Sequence, residues 1–207
     1  MDLRNLKRVN DLWLKIYPYL AAQGMEYYGK NYGDVLEVGP FSGGITVELT
    51  RLHPGLNITV AAQDRDVVDY LRKEIGGAGL NRKIEVNWSE LDNLGFADCL
   101  FDLVIFRGAY FFLDEKGKML WEIYRILKEN GLAFIGGGYG KNTPQGLIDE
   151  IADESRDLND RLGRRRVTEG EVRTMVNKAG LTSHTRIEKE GGLWLVIQKQ
   201  TVGHHSG

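Results

Sequence analysis

"DVLEVGPFSGG", residues 34–44, decides the reading of this chain. An apolar run reaches Glu37 and Val38 and then gives way to Gly39, Gly43 and Gly44, with Pro40 and Phe41 among them. The first half reads as a short buried strand; the second is nearly bare backbone, followed from about residue 43 by a helix-like segment. At the carboxyl end of a strand in a doubly wound sheet, glycines let a ligand approach the main chain, and the next helix offers unpaired N–H groups. A dinucleotide loop has the spacing G-x-G-x-x-G, and here Phe41 stands at the second glycine's place. A phenyl ring there crowds a pyrophosphate, and the Glu37 carboxylate repels one. The stretch suits a ligand with a positive charge or several hydroxyls.

Working outward, strands and helices alternate. "NITVAAQ" (57–63), "KIEVNW" (83–88), "FDLVIF" (101–106) and "LAFIGGG" (132–138) read as further strands. Helices are expected at about 43–53, 65–77 and 115–129. In the last, Leu120, Ile123, Tyr124 and Leu127 recur along one face, and Asn130-Gly131 supplies a stop. Such alternation implies parallel βαβ units with both faces of the sheet covered. The pattern changes after residue 168. Thr168 and Glu171 have the spacing of a capping box opening a helix to about 180, and "LTSHTRIEKEGGLWLVIQKQ" reads as two strands turning at Gly191-Gly192. The fold expected is α/β: a doubly wound, seven-stranded, mostly parallel sheet with a C-terminal antiparallel hairpin strand.

A chain of 207 residues with 42% hydrophobic and 27% charged residues can bury one proper core. A formal net charge of −2 gives no global attraction to nucleic acid, and the missing appended binding module disfavours nucleic acid as a partner. One cysteine, Cys99, excludes an intrachain disulfide and a multi-cysteine metal site, and no metal site is expected. Cys99 reads as a small buried apolar residue. No signal peptide and no run of about 18 apolar residues is present, so the expected location is cytoplasmic, with no membrane partner.

Taken in order, these segments resemble the class I S-adenosylmethionine-dependent methyltransferases. "VLEVGPFSGG" is similar to their first motif, "NWSELDNLGF" (87–96) to the segment after the third strand, "FDLVIFRGAYFFL" (101–113) to the fourth-strand motif, and "EIYRILKENGLAFI" (122–135) to the helix-turn-strand that follows. The resemblance covers nearly all of residues 33–200. It implies a methyl-transferring enzyme with S-adenosyl-L-methionine as cofactor and a small-molecule acceptor. It also implies roles. Glu37 would serve the cofactor's ammonium end, Gly39 and Gly43 would give backbone room, and Glu90 with the Leu91 backbone would bracket adenine. Arg107 and Gly108 would face the methionyl part and the acceptor. Arg107 and Tyr110 are the candidates for the chemistry itself.

Two positions depart from the family pattern. Phe41 replaces a glycine. The acid expected to hold the ribose falls at Ala62, with Gln63 and Asp64 just beyond, and Asp64 is favoured over Gln63. Arg107 has a structural alternative, an ion pair with Asp102 or Asp114. Residues 1–32, with Trp13, Tyr17, Tyr19, Tyr27, Tyr28 and Tyr32, are expected to form a helical lid segment on the domain of residues 33–200, and 201–207 a disordered tail. "RLGRRRV" (161–167) either draws an anionic acceptor or pairs with the acids before it. Two other functions stay open at this point: a domain that binds the cofactor without catalysis, and a nicotinamide-dependent oxidoreductase. The sequence leaves the oligomeric state open.

Overall fold

In the computed structural model, residues 1–200 are described; the tail of residues 201–207 lies outside them. Seven strands form one sheet: β1 (Tyr32–Val38), β2 (Gly55–Ala62), β3 (Glu85–Trp88), β4 (Phe101–Arg107), β5 (Leu127–Gly138), β6 (Thr185–Glu188) and β7 (Gly192–Gln198). Their spatial order is β3-β2-β1-β4-β5-β7-β6. β1 to β5 pair in parallel, and β7 runs antiparallel to both β5 and β6, so one strand is reversed as the Gly191-Gly192 turn predicts.

The helices are α1 (Leu3–Leu12), α2 (Tyr17–Tyr28), α3 (Gly44–Leu52), α4 (Arg65–Gly77), α5 (Lys118–Ile126), α6 (Gln145–Arg161) and α7 (Glu169–Lys178). Each buries an apolar stripe against the sheet or a neighbouring helix. In α4 that stripe is Val67, Val68, Leu71 and Ile75, behind an Asp64 cap. α7 opens with the expected capping box between Thr168 and Glu171. One core, on the side of α1 to α4 and α6, takes Val35, Val60, Leu103 and Phe134 from the strands; the other, beneath α5 and α7, takes Leu36, Val38, Val104 and Ala133. Alternate residues of β1 thus face opposite sides, as the two-residue period of a strand requires.

Two local expectations are corrected. α5 ends at Ile126 rather than 129, because Leu127 already pairs with Phe101 as β5 begins. Asn130 takes a left-handed conformation (φ 60°) inside the irregular start of that strand. Cys99 is exposed, not buried, at a left-handed turn (φ 55°) leading into β4. Its neighbours Asp98 and Leu100 are exposed too, so the segment skirts the surface before Phe101 enters the sheet. The N-terminal segment is helical, with α1 packed on α6 and α2 on α3.

Candidate functional site

The opening stretch lies at the carboxyl end of β1, between β2 and β4. Gly39 has φ +100°, and a Cβ there would stand 2.6 Å from the Phe106 ring, so only glycine lets the loop pass this close to β4. Glu37 points toward the α3 side of the sheet and is 1% exposed. Its Oε2 accepts from the Gly43 N–H at 2.9 Å, the Thr46 N–H at 3.0 Å and the Thr46 hydroxyl at 2.5 Å. Gly43 has no side chain to cap α3, so this carboxylate does it from the strand, where the positive end of the helix favours an anion. Oε1, equally buried, has no partner among the described residues. Burial holds the carboxyl above the usual carboxylate range, while the bonds from Thr46 and Gly43 and the charge of Arg107 pull the other way.

Phe41 lies inside the protein, 2% exposed, at the wall of a cavity beyond β4 and outside the cleft that Gln63 and Glu90 line. It packs on Phe111 with ring centroids 5.0 Å apart and fills the space that Gly108 leaves. Gly108 has φ +71°, and a Cβ there would meet Phe41 Cδ2 at 2.4 Å. The second-glycine position therefore joins the β1 loop to the β4 loop as core.

Arg107, the last residue of β4, is 5% exposed. Neither carboxylate considered as its partner takes it. Asp102 pairs with Lys128 at 2.7 Å, and Asp114 accepts from the backbone N–H groups of Lys116, Lys118 and Met119 at the start of α5. The Arg107 guanidinium lies instead among aromatic rings, 4.1 Å from the Trp13 centroid, 5.2 Å from Phe41 and 5.3 Å from Tyr17. Its one hydrogen bond runs from Nη1 to the Phe41 carbonyl at 3.2 Å. Burial lowers its pKa, against the influence of Tyr17 and Glu37. Tyr110 donates its hydroxyl proton to the Leu193 carbonyl at 2.8 Å, and burial raises its pKa, so it holds that proton at neutral pH.

On the other side of the β1 loop, a cleft of about 580 Å³ is lined by Gln63, Glu90, Leu91 and Phe112. Gln63 and Glu90 are exposed at its surface, while Leu91 is buried. Ala62 ends β2 with no carboxylate. Asp64 borders a small adjoining cavity, but its Oδ1 caps α4 through the N–H groups of Asp66 (2.9 Å) and Val67 (3.4 Å). A cationic nucleoside fits these groups: a buried acceptor without a donor in Glu37, and polar side chains at the rim of the cleft. Among the described residues no group of three or more His, Cys, Asp or Glu is placed to hold a metal ion, and no helix is long and apolar enough to cross a membrane.

The structure also brings together residues that sequence reading left separate. Trp13 stacks on Tyr139 (centroids 5.0 Å, planes 9° apart) and donates to the Ser155 hydroxyl at 2.9 Å. With Arg107, Phe41, Arg164 and Arg165 they line a cavity of about 270 Å³ beyond the end of β4. Thr46 as the partner of Glu37 also escaped notice; a threonine in the first turn of the helix was the available signal.

Residues 36–135 match a family described as a methyltransferase domain. Residues of this chain are 27% identical over 99 positions to a ubiquinone/menaquinone biosynthesis C-methyltransferase, UbiE, of Desulfotalea psychrophila; that match spans 48% of this chain and 39% of the relative. The fold is similar to that of a protein from Methanococcus maripaludis assigned as an S-adenosyl-L-methionine-dependent methyltransferase (TM-score 0.78, 24% identity, 96% of this chain and 94% of that one). It is similar also to a methyltransferase of the same cofactor class from Aquifex aeolicus (TM-score 0.66, 18% identity, 96% and 97%). Residues 36–135, just under half of the chain, thus match a methyltransferase domain, and the seven-stranded sheet built around them has the class I S-adenosylmethionine-dependent methyltransferase fold.

Proposed function

We propose that this protein transfers a methyl group from S-adenosyl-L-methionine to a small-molecule acceptor. The observation that carries the reading is Glu37: one carboxylate oxygen caps α3 and the other is buried with no donor among the described residues. An unpaired buried acceptor costs about 1–3 kcal/mol, which a cationic ligand at the loop removes.

When bound, the cofactor supplies an electrophilic methyl group on sulfur. The protein's part is then placement, and alignment alone accounts for up to roughly 7–11 kcal/mol of a barrier. In this reading Glu37 accepts from the ammonium end, while Gln63 and Asp64 serve the ribose hydroxyls. Glu90 and the Leu91 backbone flank adenine, and Arg107 and Gly108 border the reacting end. Tyr110 keeps its proton and positions the Leu193 strand. No residue of the chain needs to act as a base if the acceptor arrives already nucleophilic.

Isothermal titration with S-adenosylmethionine, S-adenosylhomocysteine and NADH is the test. The reading expects both sulfur nucleosides to bind at micromolar concentration and NADH not to bind. Binding of NADH alone, or of none of the three at millimolar concentration, would overturn it.

A further inference from the structure

The cavity beyond β4 has an unusual wall. Three arginines, Arg107, Arg164 and Arg165, line it, and no aspartate or glutamate does. Arg107 is the most telling of them. It is 5% exposed, has no carboxylate within ion-pair distance among the described residues, and makes a single hydrogen bond, through Nη1. Its Nε and Nη2 have no acceptor there. Removing one charge from water costs several kcal/mol unless another group answers it. Cation–π contact with Trp13, Tyr17 and Phe41 answers only part, at about 2 kcal/mol for a desolvated pair. Arg164 repeats the pattern more weakly: Nη2 donates to Asp160 at 2.7 Å, but Nε is buried with no partner among the described residues. Arg165 donates to the Leu113 carbonyl, pairs with Glu115 at 3.9 Å and is exposed.

The remaining wall is flat and apolar. Trp13 and Tyr139 present a nearly parallel stack, and Tyr110, Phe111 and Val167 continue the lining. At about 270 Å³ the cavity sits at the lower edge of ordinary ligand pockets, about 300–1,000 Å³. Nucleotides and polymer chains are too large for it. A guanidinium fork matches a carboxylate in two parallel hydrogen bonds. The fork answers both oxygens of a carboxylate but not the third oxygen of a phosphate, and the Gly108 N–H beside it is already bonded to the Gly136 carbonyl at 2.7 Å.

We propose that this cavity is the acceptor site and that it selects a small carboxylate on a flat, unsaturated body, with Arg107 holding the carboxylate and Trp13 and Tyr139 the flat face. That the ligand is the acceptor rests on the methyltransferase reading; that it is a flat carboxylate rests on the cavity alone.

The probes are 4-hydroxybenzoate and cinnamate, each against its neutral primary amide, titrated into the whole chain with and without S-adenosylhomocysteine. The proposal expects each carboxylate to bind at least tenfold tighter than its amide. Arg107→Gln is expected to reduce that preference to less than threefold, with S-adenosylhomocysteine affinity measured alongside on the same protein. Arg164→Gln, at a partly exposed position, reports on the same preference if Arg107→Gln does not fold, and is expected to reduce it at least twofold. Equal binding of acid and amide, or no binding of either acid by protein that binds S-adenosylhomocysteine, overturns the proposal and leaves the methyltransferase reading standing. Loss of S-adenosylhomocysteine affinity in Arg107→Gln with the acid preference intact also overturns it, by assigning Arg107 to the cofactor. Carboxylate preference in a protein that binds neither sulfur nucleoside supports the site and removes the methyltransferase reading.

Discussion

Adding one methyl group at Gly108 tests how the β1 and β4 loops are joined. The Cβ of Gly108→Ala would stand 2.4, 2.8 and 3.3 Å from Cδ2, Cε2 and Cγ of Phe41, where carbon atoms at rest keep about 3.5–4.0 Å. The ring cannot swing away freely, since Phe111 packs against it and the Arg107 guanidinium lies 5.2 Å from its centroid. Overpacking of this kind costs about 1–3 kcal/mol. The left-handed backbone (φ +71°) adds about 1–2 kcal/mol for any residue with a Cβ. Gly108→Ala is therefore expected to lose about 2–5 kcal/mol. Phe41→Ala, which empties the same space, is expected to lose about 3–5 kcal/mol. In the double variant the new methyl has room, so the losses fall short of their sum by about 1–3 kcal/mol. Urea unfolding followed by circular dichroism, with slopes compared across the four proteins, reads this directly. Additivity within about 0.5 kcal/mol would refute the contact and the claim that Phe41 belongs to the core.

Glu37→Gln keeps an acceptor for Gly43 and Thr46 but removes the charge. Because burial raises the folded pKa of Glu37, the folded state holds this proton more tightly than the unfolded chain, so its contribution favours folding at low pH. That contribution is lost as pH rises from the unfolded value, about 4.3, toward the folded one. Relative to wild type, the variant is expected to gain stability between pH 4 and pH 7 in urea midpoints; a constant difference across that range would speak against the burial account. Its affinity for S-adenosylmethionine is expected to fall about 10- to 150-fold, one hydrogen bond to a charged group at about 1.5–3 kcal/mol. Thr168→Ala removes the capping box of α7 and is expected to cost about 1 kcal/mol in thermal or urea unfolding; a loss under 0.3 kcal/mol would mean that this helix end is held by packing alone.

The alternation of strand and helix carried most of the fold, because parallel strands buried on both faces leave continuous apolar runs such as Leu103 to Phe106. The reversed strand was legible too, from two glycines between apolar segments. Boundaries fared less well where pairing outweighed local preference: Leu127 continues the helical stripe of α5, yet hydrogen bonding beside Phe101 claims it for β5. Cys99 shows a similar limit, since its exposure follows from the surface path of residues 97–100 before Phe101 enters the sheet. At the site, glycine spacing located the loop and the acid. The direction of the Phe41 side chain depends on Gly108, 67 residues later, and no local pattern reports it. Arg107 was legible as a charge at a strand end, but its lack of a carboxylate depends on Lys128 and the α5 start having taken Asp102 and Asp114.

The central claim is that a sulfur nucleoside lies across the carboxyl ends of β1 to β4, and a crystal structure with S-adenosylhomocysteine tests it most directly. The account predicts adenine beside Glu90 and Leu91, ribose near Gln63 and Asp64, and the amino group within hydrogen-bond reach of Glu37 Oε1, directly or through one water. Ligand density in the separate groove between α1, α3 and α4, lined by Asn10, Val47 and Tyr70, with the cleft at Gln63 and Glu90 empty, would contradict it.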